Sequence, residues 1–369
     1  MSFRPRRASL RPMDHDFLII GGGIAGISAA ARLSELGAVL LLEAEDALAH
    51  HASGRSAALY EPRYGLRPVV ELSLASGGFF HAAEGILSPR GLMVVGRDED
   101  RTAFEAEARA MELSPLTPAE ARAIVPILAD HVTLAGYAAH AWDIDTDLLL
   151  QRYAREAKGR GATILTRARA ETIRRADGLW HVTAAGEEHR ARVLVNAAGA
   201  WADAIATAAG VRPLGLVPYR RSMARIPAPG GLDVSRWPMI FGVRESWYAK
   251  PDAGALIVSP AEQDAQEPHD AWADDMVLAE GLARYEEMMT EPVTRLIASW
   301  AGLRTFAPDR VLVIGPDPQE PSFFWLAGQG GYGFQTCPAA SRLAADLLGG
   351  RSPEVSADLV AALSPARFG

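Results

Sequence analysis

The stretch from residue 16 to residue 43 reads DFLIIGGGIAGISAAARLSELGAVLLLE, and it decides the fold class. Residues 17–20 form a short apolar run rich in branched side chains, which is typical of a buried strand. A glycine turn follows, residues 27–36 carry helical patterning that Gly37 ends, and residues 39–42 form a second apolar strand. Strand, glycine turn, helix and strand make one βαβ unit, which we expect to have a right-handed crossover.

The glycine turn has the spacing of a dinucleotide-binding motif. Gly21, Gly23 and Gly26 give the pattern G-x-G-x-x-G. The first glycine allows the tight turn, the second lets the backbone approach a pyrophosphate, and the third lets helix and strand pack closely. The following helix begins with free N–H groups that favour phosphate. Glu43 ends the second strand, where a carboxylate accepts hydrogen bonds from ribose hydroxyls and repels a 2′-phosphate, so FAD or NAD is favoured over NADP.

Composition limits the other classes of function. The chain has 369 residues, enough for two domains, and its 49% hydrophobic and 22% charged residues are typical of a globular protein. The formal net charge of -8 disfavours a nucleic-acid partner. The single cysteine, Cys337, excludes an internal disulfide and a cysteine-built metal site, and we predict no metal.

The sequence also carries information on membrane insertion and cellular location. No apolar run approaches the ~20 residues that a membrane-spanning helix needs, so we expect no stable membrane insertion. Residues 1–14 hold four arginines but no apolar core of a secretory signal, and we predict a disordered leader there. A cytoplasmic location is the expectation.

A loop of small residues follows Glu43. Residues 50–58 read HHASGRSAA, and an extended flavin dinucleotide needs such a loop because the backbone must pass close to it. Together with residues 16–43, 193–201 (VLVNAAGAW) and 330–333 (GGYG), this loop resembles the D-amino-acid oxidase (DAO) superfamily of FAD enzymes. The chain is most similar to the bacterial D-arginine dehydrogenase, or D-amino acid dehydrogenase, type. The likeness runs from residue 16 almost to the end.

The resemblance implies a bound FAD. Cys337 does not match the cysteines through which some relatives attach flavin, and His50 and His51 are nearer to a possible attachment loop; we expect non-covalent binding. The residues expected to contact the cofactor come from the four matching stretches and from Ala44, which follows the first of them; they are Gly21, Gly23, Ile24, Ala25, Gly26, Glu43, Ala44, Ser53, Gly54, Arg55, Ser56, Ala57, Ala198, Gly199, Trp201, Gly330, Gly331, Tyr332 and Gly333.

The order of elements predicts an interleaved α/β architecture. Helices are expected at 69–83, 101–111 and 143–161 and from Thr117 onward, and a hairpin at 172–183. Strands are expected at 92–95, 162–165 and 192–196, and residues 323–348 return to strand, glycine turn and helix. We therefore predict a Rossmann-like FAD-binding domain interleaved with an α+β substrate-binding domain with a mainly antiparallel sheet. The predicted boundaries are 15–60, 143–211 and 308–369 for the first domain, and 61–142 and 212–307 for the second.

The resemblance also implies the residues that hold a substrate. Arg221 and Arg304 match the family's carboxylate-binding arginines, and a planar guanidinium binds a carboxylate through two hydrogen bonds. Tyr248 matches a tyrosine that assists them, and Tyr64 matches one that lines and closes the pocket. Gly331 is expected to offer its carbonyl to the substrate amine. Small amino acids are the expected partners, reacting by hydride transfer from Cα to flavin N5, and the imino acid then hydrolyses to a 2-keto acid and ammonia. No side-chain base is strictly needed, and no histidine stands out as one.

The remaining pocket residues indicate the substrate side chain. D-arginine-type relatives carry a glutamate shortly after Ser-Pro-Arg, whereas residues 88–90 here lead to Leu92. Leu59 and Phe241 are also apolar, and Met239 is an adaptable wall. Neutral, apolar D-amino acids are favoured. Glu61 would have to face the pocket for a cationic side chain to bind, because a buried cation needs a partner.

Three alternatives stay open at this point. A secondary amine such as sarcosine or a proline derivative needs only a different pocket. A 2-hydroxy acid would need a base, for which His51 is the candidate. A non-catalytic FAD-binding subunit would retain FAD without being reduced by any amino acid. The electron acceptor, a carrier such as a quinone or oxygen, is not determined by the sequence, and only the resemblance favours a dehydrogenase.

Overall fold

The computed structural model describes residues 14–369, so the predicted leader lies outside the described residues except for Asp14. That residue belongs to the first strand, which corrects the leader's boundary. The helices are α1 (Ile24–Leu33), α2 (Arg67–Ala82), α3 (Arg101–Ala110), α4 (Pro118–Ile124), α5 (Thr146–Gly159), α6 (Ala202–Ala208), α7 (Asp275–Glu286), α8 (Gly333–Leu348) and α9 (Ala357–Leu363).

The strands, in chain order, are β1 (Asp14–Ile20), β2 (Val39–Leu42), β3 (Leu59–Tyr60), β4 (Leu87–Pro89), β5 (Leu92–Gly96), β6 (Ser114–Leu116), β7 (Leu134–Ala138), β8 (Trp142–Ile144), β9 (Thr163–Leu165), β10 (Ala170–Ala176), β11 (Leu179–Ala184), β12 (Glu187–Asn196), β13 (Val217–Pro227), β14 (Met239–Gly242), β15 (Tyr248–Asp252), β16 (Ala255–Ser259), β17 (Asp264–Ala265), β18 (Ala298–Phe306), β19 (Val313–Pro316) and β20 (Phe323–Ala327).

The first sheet has a parallel centre in the order β9-β2-β1-β12-β20. All four residues of β2 are buried, as expected for a strand covered on both faces. Helices α1, α5 and α8 pack together on one face in a single apolar cluster. Strand β19 and the hairpin β10-β11 extend the sheet in antiparallel fashion. The predicted Rossmann-like unit is therefore present, assembled from the beginning, middle and end of the chain.

The second sheet carries the other half of the molecule. Its order is β17-β13-β16-β15-β14-β5-β7-β6, with β18 paired along β13. The pair β5–β14 is parallel and the other pairs are antiparallel, so the prediction of a mainly antiparallel sheet is confirmed. The fold class agrees with the prediction, and the domain boundaries stay a prediction.

The capping and glycine signals in the sequence predicted most of the helices, but several observed helix ends differ from the predicted ones by a few residues. Helix α1 begins three residues earlier than predicted, with Gly23 as its N-cap. Thr117 and Glu120 form the expected capping box before Pro118. Within 143–161, where a capped helix is expected to start near Asp145 or Thr146, the helix begins at Thr146: the Asp145 side chain caps it by accepting the Leu148 N–H at 2.8 Å, while residues 142–144 pair as a strand.

The predicted hairpin is present as strands β10 and β11. The hairpin turns at Asp177 and Gly178, both at positive φ (51° and 78°), which suits a tight two-residue turn. Within residues 14–369, no helix combines the length and the apolar character needed to cross a membrane.

Candidate cofactor and substrate site

The glycine turn meets a neighbouring strand end at the edge of the parallel sheet. Gly21 follows β1 at φ 110°, and a Cβ on it would lie 2.4 Å from the carbonyl oxygen of Ala197, just after β12. A Cβ on Gly26 would lie 1.9 Å from the carbonyl oxygen of Gly21. Both positions require glycine because main chain meets main chain there. The N-terminus of α1 is thereby held against the strand ends, which is the arrangement that a pyrophosphate group binds.

Glu43 is fixed at the end of β2. Its Oε2 accepts the Gly22 N–H at 2.7 Å, and its Oε1 accepts the Glu45 N–H at 2.8 Å. Each carboxylate oxygen has a further lone pair, and Glu43 lines the cleft beside the glycine turn. The carboxylate thus lies at the cleft, and its contact with ribose hydroxyls stays a prediction.

Two cavities join into one elongated cleft. The first contains Glu43, Ala44, Ala198 and Trp201, and the second contains Ile24, Ala25, Ser56, Ala57 and Gly333. Both are lined by Gly23, Ser53, Arg55 and Gly199, so they are continuous. The second also contains Gly330 and Gly331, immediately before the N-terminus of α8. An extended dinucleotide therefore fits along the cleft, with one helix N-terminus toward its phosphates and another at its far end.

Some predicted cofactor residues support the cleft without lining it. Gly26 and Gly54 pack against main chain: a Cβ on Gly54 would lie 2.3 Å from the Ala49 carbonyl oxygen. Tyr332 packs against Tyr64, with ring centres 5.5 Å apart and the ring planes tilted by 54°. Arg55 lines the cleft, but its guanidinium donates to the Asp270 carboxylate and to the carbonyls of Ala271 and Ala301.

The two predicted carboxylate-binding arginines come from neighbouring strands. In the β13–β18 pair, Arg221 lies opposite Gly302, and Arg304 lies opposite Tyr219. The diagonal offset places both guanidinium groups on one face, and both line the second cavity. Arg221 is 3% exposed. Within residues 14–369, Nη2 of Arg221 and Nε of Arg304 have no hydrogen-bond partner, so N–H donors remain for a ligand.

Glu245 lies between these arginines, and the sequence analysis missed it. Its Oε1 lies 2.6 Å from Nη1 of Arg221 and 3.9 Å from Nη1 of Arg304. Burial would raise the pKa of Glu245, but the two arginines outweigh that effect and lower it. Burial would lower the pKa of Arg221, and the Glu245 carboxylate instead raises it. Burial and the nearby Arg221 lower the pKa of Arg304.

The conformation of the turn that carries Glu245 explains why no sequence pattern indicated this residue. Arg244 and Glu245 both have positive φ, 60° and 51°, although neither is a residue that favours this region. The turn follows Phe241 and precedes Tyr248, and it swings the carboxylate back over the arginines. Only the tertiary contacts that hold this strained turn place Glu245 in the pocket.

The two predicted tyrosines take different positions. The Tyr64 hydroxyl donates to Oε2 of Glu245 at 2.6 Å and the side chain lines the pocket, whereas closure by Tyr64 stays a prediction. Burial first, and then the Glu245 charge, raise the pKa of Tyr64 well above its usual value. Tyr248 lies under Arg221, 5.7 Å from the guanidinium carbon to the ring centre, and its hydroxyl donates to the Met223 sulfur at 3.1 Å. Both hydroxyls stay protonated and act as hydrogen-bond donors.

The predicted side-chain wall forms a continuous apolar surface. Met239 pairs with Leu92, and Phe241 pairs with Tyr248, across three adjacent strands of the second sheet. Leu59 packs on the same cluster from β3. Glu61 also lines this pocket, and its side chain is only 3% exposed. The structure therefore brings together all ten residues predicted for the substrate site, because Gly331 lies beside them.

His51, the candidate base for a 2-hydroxy acid, lies elsewhere. It lines the first cavity, where its ring packs on Trp201 with centres 4.6 Å apart and Nε2 lies 3.2 Å from Glu45. It does not line the cavity that holds the arginines. His51, His50 and Glu45 each offer one possible metal-ligand atom, and these three atoms lie within 4.8 Å of one another. Within residues 14–369, no fourth His, Cys, Asp or Glu ligand joins this group.

Comparison with known proteins identifies the family. Residues 16–347 match the DAO family model, described as FAD dependent oxidoreductase, and the chain belongs to this family. The cofactor is FAD. The cleft, with its glycine-lined edge, its fixed Glu43 and its two helix N-termini, fits that cofactor.

Relatives within the family are distant. The chain is 25% identical to FAD-dependent oxidoreductase domain-containing protein 1 of Bos taurus, over 92% of this chain and 82% of that protein. It is 28% identical to the bifunctional protein MnmC of tRNA 5-methylaminomethyl-2-thiouridine biosynthesis from Azoarcus sp. (strain BH72), over 95% of this chain but 59% of that protein. The chain thus spans well under two thirds of the length of the second relative.

Solved structures share the fold. Glycine oxidase from Geobacillus kaustophilus superposes with a TM-score of 0.81 at 21% identity, covering 96% of this chain and 99% of that one. L-proline dehydrogenase from P. horikoshii gives 0.83 at 21% identity, covering 97% and 98%. None of these four proteins is a D-arginine dehydrogenase, so they give no support to that subtype within the family.

Proposed function

We propose that this FAD enzyme oxidises the primary amine of small D-amino acids with neutral, apolar side chains. The observation that carries the proposal is the pairing of free N–H donors on Arg221 and Arg304 with an apolar wall in one cavity, continuous with the dinucleotide cleft. A carboxylate and an apolar side chain are the two groups that this cavity complements.

Each side chain has a defined task. Arg221 and Arg304 bind the carboxylate, and Tyr248, packed under Arg221, keeps that guanidinium in place. Tyr64, held by Glu245, covers the bound substrate and excludes water. The apolar wall of Leu59, Leu92, Met239 and Phe241 takes the substrate side chain. FAD, bound without a covalent link, supplies the hydride acceptor at N5.

Positioning carries most of the rate in this mechanism. The fixed carboxylate and the packed side chain leave one orientation of Cα, so the hydride leaves from one face only. The imino acid product hydrolyses to a 2-keto acid and ammonia. Handedness follows from which side of the pocket the amine occupies, and D-amino acids are favoured by the family resemblance described above.

A secondary amine is the second candidate. The residue expected to face the amine is Gly331, which carries no side chain and lines the same cavity. The L-proline dehydrogenase with the same fold shows that this architecture is compatible with a ring nitrogen in another protein. The substrate panel below separates the two candidates.

The test is anaerobic reduction of the purified holoenzyme, followed by loss of the flavin visible bands. D-leucine, D-phenylalanine, their L-isomers, sarcosine, both prolines and D-lactate are added one at a time. Bleaching by D-leucine but not by L-leucine supports the proposal. Bleaching by sarcosine or proline alone moves the assignment to secondary amines, and bleaching by D-lactate alone to hydroxy acids. A flavin that no compound bleaches contradicts an oxidative function for the pocket.

A further inference from the structure

The mechanism above leaves one buried acid in the pocket without a task. Oε1 of Glu61 accepts the Arg63 N–H at 3.1 Å and lies 3.0 Å from Nε2 of His140. Within residues 14–369, Oε2 has no hydrogen-bond partner. A buried carboxyl oxygen without a donor is unfavourable unless a ligand supplies one. Glu61 is therefore a site that awaits an N–H or O–H group.

The direction of Glu61 follows from the strand that precedes it. Tyr60 points away from the pocket, where its hydroxyl donates to the Ser73 carbonyl at 3.2 Å. Side chains alternate along an extended chain, so Leu59 and Glu61 share the opposite face and both line the pocket. Glu61 thus belongs to the lining of the same cavity as the arginines, with its free oxygen buried.

The main chain of Glu61 is hydrogen-bonded to helix α8, whose N-terminus lies beside Arg304. Its N–H donates to Oε1 of Gln335 at 3.2 Å, in the first turn of α8. Gly331 lies just before that helix, and a Cβ on it would lie 3.0 Å from Nη1 of Arg304. Glu61 and Arg304 therefore both lie beside the segment that leads into α8.

The charged side chains of the pocket are of both signs. Arg221, Arg304 and Glu245 together leave one net positive charge for a carboxylate. Glu61 provides one negative charge on another wall of the cavity. The pocket therefore matches the two charges of a zwitterionic amino acid.

We propose that Glu61 and His140 form the path by which the substrate ammonium loses its proton before oxidation. The inference rests on the proposed function, because it needs an amino acid in the pocket. An N–H bond of the ammonium breaks and an O–H bond forms at Oε2 of Glu61, which leaves the lone pair on a neutral amine. A half-turn of the carboxyl group then presents the proton to Nε2 of His140 in its Nδ1–H tautomer, and the imidazolium releases its Nδ1 proton to water.

The surroundings of the pair suit this transfer. The His140 side chain is 35% exposed, so it connects the buried acid to solvent. Burial raises the pKa of Glu61, although His140 and Arg63 oppose the effect, and a carboxyl of higher pKa is a better proton acceptor. Burial and then Glu61 raise the pKa of Tyr60 to about 12, so Tyr60 stays neutral. Arg63 is paired with Glu112 at 2.7 Å, and the other charged or titratable groups lining this cavity are Arg55, Arg221, Arg304, Glu245, Tyr64 and Tyr248.

The test is the pH dependence of anaerobic flavin reduction by D-leucine in the wild-type holoenzyme and in Glu61→Gln. At pH 7 the variant should be reduced about 100-fold more slowly, which is the lower range of general-base effects. Its rate should then rise tenfold per pH unit, because only substrate that is already deprotonated can react. The reduction rates of wild type and variant should become equal at the pH at which the free amino acid loses its ammonium proton. His140→Asn should show the same change with smaller amplitude.

Two controls separate proton transfer from damage to the pocket. Acetate, which has a carboxylate but no amine, should perturb the flavin spectrum with the same dissociation constant in Glu61→Gln as in the wild type. Glu112→Gln, which removes only the partner of Arg63 outside the pocket, should keep the wild-type pH profile. Superimposable profiles of wild type, Glu61→Gln and His140→Asn would overturn the inference while leaving the proposed function intact. Failure of D-leucine to reduce even the wild type would overturn the proposed function, and with it this inference.

Discussion

Nη1 of Arg221 lies 2.6 Å from Oε1 of Glu245, so the group that should bind a substrate carboxylate already holds a carboxylate of the protein. The pairing fixes the guanidinium without consuming it, because Nη2 remains without a partner among residues 14–369. Glu245 also halves the charge of the arginine pair, and it anchors Tyr64. One acidic side chain thus sets the geometry, the charge and the closure of the pocket.

Removing the charge of Glu245 should change which substrates bind. Glu245→Gln keeps a hydrogen-bond acceptor for Tyr64 but leaves two uncompensated arginines. We expect the ratio of kcat/KM for D-aspartate to that for D-alanine to rise about tenfold, a change of 1.4 kcal/mol. Steady-state kinetics with both substrates measure it. Glu287→Gln, which removes an exposed partner of Arg97, is the matched control, and an equal ratio in all three proteins would contradict this account.

Removing Arg221 should weaken carboxylate binding and strain the fold. Arg221→Met should raise the dissociation constant of acetate roughly 10²- to 10³-fold, because a charged hydrogen-bonded pair is lost and Glu245 stays buried. Titration of the flavin spectrum measures the constant. In the double variant Arg221→Met/Glu245→Gln, thermal stability should recover but binding should not.

The control for that pair is Arg225→Met on the same strand. Arg225 pairs with Asp252 at 2.7 Å, outside the pocket. Its loss should leave acetate binding unchanged. Weakened binding in Arg225→Met equal to that in Arg221→Met would show that the strand, rather than the anchor, had been damaged.

The glycine turn should tolerate a methyl group at some positions only. Gly26→Ala places a Cβ 1.9 Å from the Gly21 carbonyl oxygen, and we expect protein without FAD or without a stable fold. Gly23→Ala meets only the Ser53 hydroxyl, at 3.1 Å, and should fold with weakened FAD affinity. Absorbance at the flavin band per protein, with the melting temperature, measures both effects.

Gly159→Ala is the matched control for the glycine turn. Gly159 ends α5, and a Cβ on it meets nothing within 4 Å. The substitution should keep full FAD content and stabilise the protein by up to about 1 kcal/mol, because alanine favours the helix. Full FAD content in Gly26→Ala would contradict the packing described for the turn.

The pKa of Glu61 predicts a pH-dependent stability difference. Burial raises this pKa in the folded state, so between the ordinary carboxyl range and the raised value the folded protein holds a proton that the unfolded chain has lost. Stability contributed by the protonated form is therefore present at low pH and decreases as pH rises through this window. Glu61→Gln lacks the titration, and its melting temperature relative to wild type should rise between pH 4 and pH 8. Thermal scans of both holoenzymes measure the difference, and a difference that is constant with pH would contradict the raised pKa.

The sequence by itself determined the parallel half of the fold and its cofactor. The roles of Gly21, Gly26 and Glu43 can be predicted directly because each depends on local structure. Gly21 makes the tight turn, Gly26 allows the close approach of helix and strand, and Glu43 ends the second strand. The arginines and the apolar wall were placed by resemblance, and strand pairing across the second sheet then gave their contacts. Those pairings join residues far apart in the chain, so no local pattern defines them.

Only the tertiary structure decided the charge of the substrate pocket. Glu245 reaches the arginines through two residues at positive φ that carry no local signal. Glu61 is buried with a free oxygen because a strand, a helix terminus and His140 converge on it from three parts of the chain. An acid at either position looks like a surface residue in the sequence, and burial by distant segments is what gives each one its chemistry.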